Sequence, residues 1–99
     1  MTGTHLYIIQ SDKTGTFKIG RANSPIERLD QLQTGSPYRL KLLLVLPDQG
    51  YKEKELHKLL TKYGTQGEWF KEEGLSLLPD EIYELLDLEL INLPWWKYE

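Results

Sequence analysis

The segment RLKLLLVLP, from Arg39 to Pro47, constrains the fold more than any other. From Leu42 onward it is apolar on both alternating sets of side chains, the pattern of a central strand covered on both faces. Before it, HLYIIQ (His5 to Gln10) is rich in β-branched and aromatic residues, SDKTG is a turn, and TFKIG (Thr16 to Gly20) is a second short strand. Together they predict a hairpin. Placing Leu6 and Ile8 on one face with Phe17 and Ile19 gives that hairpin a fully apolar side. The other side then carries His5, Tyr7 and Ile9 with Thr16, Lys18 and Gly20, so that Tyr7 and Lys18 are cross-strand neighbours.

Between hairpin and strand, SPIE opens a helix with three agreeing signals. Ser24 is the N-cap, Pro25 takes the first helical position, and Glu27 stands where a capping box needs it. The helix is expected to run to about Gln33 with Ile26, Leu29 and Leu32 as its apolar stripe and Arg28 on the flank. TGSP then ends it. YKEKELHKLLTKY predicts a second helix with Leu56, Leu59, Leu60 and Tyr63 at helical spacing. GTQGEWF reads as a loop with an aromatic anchor. LPDEIYELLDLELINL predicts a third helix, with Pro79, Asp80 and Glu81 in its first turn. The expected order is β-β-α-β-α-α, an α+β fold with a small, mostly antiparallel three-stranded sheet flanked by helices.

A chain of 99 residues, 39% hydrophobic, has room for one good core. A single domain over 1–99 is expected, with an acidic helix and aromatic tail over 74–99. Cysteine is absent, which excludes disulfides and thiolate metal sites. No apolar run approaches the roughly 20 residues of a membrane span, and MTGTHLY lacks the regions of a signal peptide. A cytoplasmic location is the expectation. The net charge of -3 is unevenly spread, +4 over residues 1–64 and -7 over 65–99. A basic body suits an anionic partner, because local charge sets the field.

Five side chains carry candidate chemistry. Glu53 continues the interior line of Leu56 and Leu60, one turn before His57. It reads either as a solvated first-turn acid near Lys54 and Lys58, or as the ligand of a hard cation, Mg2+ or Mn2+, shared with phosphate oxygens. His57 reads as a satisfied, half-buried residue or as a ligand or acid. The Tyr7 phenol becomes a usable base only beside a cation such as Lys18. Arg28 offers a planar fork for phosphate oxygens. Lys13, Arg21 and Arg39 would add phosphate contacts.

HLYII, then FKIG, then an arginine eight positions after the glycine, then Glu53-x-x-Leu56-His57, resembles the GIY-YIG nuclease superfamily. His5-Leu6-Tyr7 and Lys18-Ile19-Gly20 stand at its two name motifs. The set KIG, RLDQLQTGSP, ELH and GEWF is similar to a compact phage and bacterial branch, and the likeness covers Thr4 to Phe70, here a catalytic core over 4–70. The chain departs at His5 for glycine and Lys18 for tyrosine. Glu68 and Trp69 stand where an asparagine often closes the motif set.

That resemblance implies phosphodiester hydrolysis at a single metal-dependent site, with a DNA endonuclease or nicking enzyme as the leading expectation and RNA left open as substrate. Tyr7 would position or activate water, Arg28 would hold the scissile phosphate, Glu53 the metal, and Gly20 would allow a close strand exit. GEWF is read first as a packing anchor and second as a source of Glu68 for the site. The alternative function is a non-catalytic module of the same fold that binds DNA or a protein. A third reading is a structural or self-associating domain, in which Trp95, Trp96 and Tyr98 either cover the core or form an interface.

Overall fold

The computed structural model describes residues 4–65 and 67–92, with side chains described to Leu86. Trp95, Trp96 and Tyr98 lie outside the described residues. Strands β1 (His5–Ser11) and β2 (Phe17–Ala22) form the expected hairpin, followed by α1 (Pro25–Thr34), β3 (Leu40–Leu46), α2 (Glu53–Leu59), β4 (Trp69–Phe70) and α3 (Asp80–Asn92). All strand pairs are antiparallel, in the spatial order β3-β1-β2-β4.

The α+β class is as expected, but the sheet has four strands rather than three. The extra strand is the WF of GEWF: Phe70 pairs with Phe17 and Trp69 with Lys18. Gly67, at φ 61, makes the turn into it, and Thr65 N–H donates to the Trp69 carbonyl at 2.9 Å to close that turn. A backbone with positive φ suits glycine because there is no Cβ to clash.

The strand expected at the centre, β3, is at the edge, and β1 takes the middle. Its two-sided apolarity has another cause. Ile8 pairs with Leu44 and Ile9 with Leu42, so Leu43 is an extra residue, a β-bulge. The bulge sends Leu43 and Leu44 into one core cluster while Leu42 joins the other. One cluster packs Leu6, Ile8, Phe17 and Ile19 against Leu56 and Leu60 of the α2 side and Ile82 and Leu86 of α3. The second packs Tyr7, Ile9, Leu40 and Leu42 against Leu29 and Leu32 of α1 and against Trp69. Helices therefore cover both faces, α1 on one and α2 and α3 on the other.

The expected hairpin faces are observed, with one refinement of register: Tyr7 stands directly opposite Gly20, and Lys18 opposite Ile9. Lys18 is thus diagonal to Tyr7. Ser24 caps α1 as expected, its hydroxyl accepting from Glu27 N–H at 3.3 Å. Ile26 is not part of the buried stripe and is half exposed. The second helix is shorter than the pattern suggested, flanked by 3-10 turns at Gly50–Lys52 and Thr61–Tyr63, and Leu59 faces solvent.

Candidate functional site

The site begins at the middle of the hairpin. Tyr7 is 2% exposed, and its ring lies over Gly20, where an added Cβ would overlap the Tyr7 hydroxyl and ring. Glycine here is a matter of space for the phenol. No buried polar side-chain atom among the described residues lacks a partner.

On the same face, Lys18 is buried, and its ammonium meets the Glu68 carboxylate at 2.5 Å. The pairing of Trp69 with Lys18 across β2 and β4 places Glu68 there. The hydrogen bond from Lys18 holds the Glu68 carboxyl below the usual carboxylate range. Partial burial pushes the other way, and the positive charges of Lys18, His57 and Arg28 add to the lowering. Glu68 is accordingly a carboxylate, and among the described residues its ion pair is with Lys18 of β2. Arg28 itself is exposed, with one guanidinium nitrogen donating to Gln31 Oε1 at 3.1 Å, and it forms no ion pair among the described residues.

The other half comes from the opposite face of the sheet. His57 Nε2 lies 2.6 Å from the Ile19 carbonyl oxygen, just past the end of the β2–β4 pairing. A carbonyl only accepts, so Nε2 carries the proton, leaving Nδ1 as the nitrogen open to exchange. The ring stands edge-on to Phe70 at 5.3 Å. One turn earlier, Glu53 has a side chain 20% exposed, 4.0 Å from His57 and 3.5 Å from Arg21 Nε. It lies in the first turn of α2, as the first-turn reading expected, but its ion pair among the described residues is with Arg21 of β2.

Tyr7, Lys18 and Arg28 thus share the α1 side, while Glu53, His57 and Arg21 sit on the α2 side. The two groups flank β2 from opposite faces of the sheet, Glu68 at Lys18 and His57 at the Ile19 carbonyl. Lys13 and Arg39 are elsewhere, at the hairpin turn, where Asp12 N–H donates to the Arg39 carbonyl and Lys41 pairs with Asp12 at 3.0 Å. Reading GEWF first as a packing anchor captured Trp69 and Phe70 but undervalued Glu68.

Among the described residues no group of three acidic or histidine side chains is arranged to hold a metal. Glu53 supplies one hard oxygen ligand, and the His57 nitrogen nearest to it is already committed to Ile19. That donor set suits a divalent ion completed by water and a ligand's phosphate oxygens, and not a closed protein cage.

The family model of the T5orf172 domain matches residues 4–89. The chain belongs to the T5orf172 family. This corrects the assignment to the GIY-YIG superfamily that the motifs suggested. The T5orf172 match runs past Phe70, where β4 ends, and into α3, a reach consistent with Leu78, Ile82 and Leu86 lying in the same core as Leu6 and Ile8. No curated protein and no solved structure is significantly similar to the chain. No helix among the described residues is long and apolar enough to cross a membrane.

Proposed function

We propose that this T5orf172 domain is a metal-dependent DNA endonuclease or nicking enzyme that hydrolyses phosphodiester bonds. The family is one of nuclease-like, DNA-binding domains. The observation that carries the reading is the pairing of Glu68 with the buried Lys18, on the same sheet face as Tyr7 and on the side covered by α1, which carries Arg28. A buried cation whose partner is an exposed carboxylate marks where a phosphate is welcome.

In this mechanism Arg28 takes non-bridging phosphate oxygens with its planar fork, and Lys18 turns from Glu68 to the phosphate as the substrate enters. Charge that builds on those oxygens in the transition state is met by groups already in place. The Tyr7 hydroxyl orients the attacking water, and His57, fixed by Ile19 through Nε2, exchanges a proton at Nδ1. Glu53 is the residue that would hold Mg2+ or Mn2+, which when bound supplies Lewis-acid stabilisation of the phosphoryl oxygens. Gly20 keeps the space that the phenol occupies.

A second reading, a DNA-binding module without chemistry, is favoured by the internal pairing of Lys18 with Glu68 and of Glu53 with Arg21. Incubation of the purified chain with supercoiled plasmid and Mg2+ or Mn2+ separates the two. Nuclease action predicts nicking or linearisation that falls about 100-fold or more in Arg28→Ala and in Glu53→Ala, with both variants still folded. Plasmid left intact in either metal, while still being bound, would leave only the module.

A further inference from the structure

Two segments of the sequence, QTGSPY and GEWF, contribute side chains that the hydrolytic scheme does not use. Both help line one groove beside α1, which has a volume of about 540 Å3 and includes Thr14, Thr16, Gln31, Ser36, Tyr38 and Trp69 in its lining. That volume lies within the roughly 300–1,000 Å3 usual for small-molecule sites. No charged side chain lines it among the described residues.

The walls are set in advance. Gln33 Nε2 donates to the Tyr38 carbonyl at 2.8 Å, and Gln33 Oε1 accepts from Leu40 N–H at 2.8 Å, tying the turn after α1 to β3. Ser36 Oγ donates to the Tyr38 carbonyl at 3.0 Å. Trp69 is locked by pairing with Lys18. The groove also joins the phosphate-binding group at two points. Trp69 follows Glu68 and pairs with Lys18, and Gln31 accepts from Arg28 at 3.1 Å, which leaves the Gln31 amide NH2 to donate elsewhere.

A neutral groove with two aromatic side chains and with amide and hydroxyl groups in its lining suits a flat, uncharged heterocycle. Its neighbours Lys18 and Arg28 suit phosphate. The geometry points to an unpaired nucleobase as the occupant: the groove between α1, the turn ending at Tyr38 and β4 receives a base that is out of its stack while its phosphate sits at Arg28 and Lys18. The inference rests on the nucleic-acid reading above and adds to it a preference for DNA with unpaired bases. Trp69 and Tyr38 supply stacking surfaces, and Gln31 supplies a hydrogen bond to a base edge.

The test measures binding of a fluorescently labelled single-stranded oligonucleotide by anisotropy, in EDTA so that cleavage does not intervene. The comparison ligand has the same sugar-phosphate backbone with abasic residues. The intact strand is expected to bind more tightly by about 5- to 100-fold, the range of one stacked base. Tyr38→Ala and Trp69→Ala should remove that advantage and leave abasic binding unchanged, while Arg28→Ala weakens both ligands alike. Tyr38 is 43% exposed, so its variant carries the test even if Trp69→Ala fails to fold. Equal binding of intact and abasic strands by the wild-type chain overturns the base groove and leaves the phosphate reading standing. Binding of neither strand, nor of duplex, overturns both.

Discussion

The Lys18 ammonium and the Glu68 carboxylate lie 2.5 Å apart, with the lysine side chain 7% exposed and the glutamate 55%. The two residues are 50 positions apart in the chain, and the short pairing of β2 with β4 brings them together. The buried partner is the cation. If Glu68 marks the place of a phosphate, it competes with DNA for Lys18 and adds a repulsive charge beside Arg28.

Glu68→Gln should therefore raise DNA affinity at low salt. It should also steepen the dependence of log K on log salt by about 0.9, the increment for one further phosphate contact with duplex DNA. Anisotropy titrations at several salt concentrations measure both. Unchanged or weaker binding would mean that Glu68 assists the ligand instead of standing in for it.

The same pair has a pH signature. The Glu68 carboxyl is held below its ordinary value of 4.5, chiefly by the hydrogen bond from Lys18. A depressed carboxyl contributes stability that is fully present above the unfolded value and is lost as pH falls through the folded value. Urea unfolding should show the wild-type chain losing its margin over Glu68→Gln as pH falls below 4.5. Solvent screening at a half-exposed glutamate keeps that margin to about 1 kcal/mol at neutral pH. A margin that grows towards acid pH would contradict the pairing.

Gly20→Ala tests the space beneath Tyr7. The added methyl meets the phenol, and overpacking of this kind costs about 1–3 kcal/mol. In a Tyr7→Leu background the same substitution should cost much less, because the group it strikes is gone. Chemical denaturation of the four proteins in this double-mutant cycle gives the coupling directly. Additive effects would place the Gly20 requirement somewhere other than the phenol.

What could be read in the sequence was what depends on near neighbours. The hairpin register of Leu6 and Ile8 with Phe17 and Ile19, and the Ser24 cap with Pro25 behind it, follow from alternation and capping within a few residues. The position of β3 did not follow, because a bulge at Leu43 and helices on both faces make an edge strand as apolar as a central one. Strand β4 is two residues long and has no periodicity to detect. Its one available signal was an aromatic pair bounded by Gly67, and with the strand missed, the approach of Glu68 to Lys18 was missed too. Among the site residues, local pattern placed Tyr7, Lys18 and Gly20 on one face. It could not show that Glu53 and His57 flank the same strand from the other face.

Lys13 and Arg39 separate binding from chemistry. Both lie at the hairpin-turn end of the sheet, apart from the group around Tyr7, Lys18, Arg28 and His57. Cations that touch only phosphates along the path of the strand weaken binding evenly across sequences, and each lost contact lowers the salt slope by about 1. Lys13→Ala and Arg39→Ala should show that behaviour, with cleavage at saturating protein within about 2-fold of wild type, since neither reaches the reacting phosphate. Arg28→Ala, beyond weakening binding, should leave a single-turnover rate about 100-fold lower even when all the DNA is bound. Single-turnover kinetics over a range of protein concentrations resolve the two. A saturating rate that falls as far in Lys13→Ala as in Arg28→Ala would move the reactive phosphate from the β2 edge to the hairpin turn.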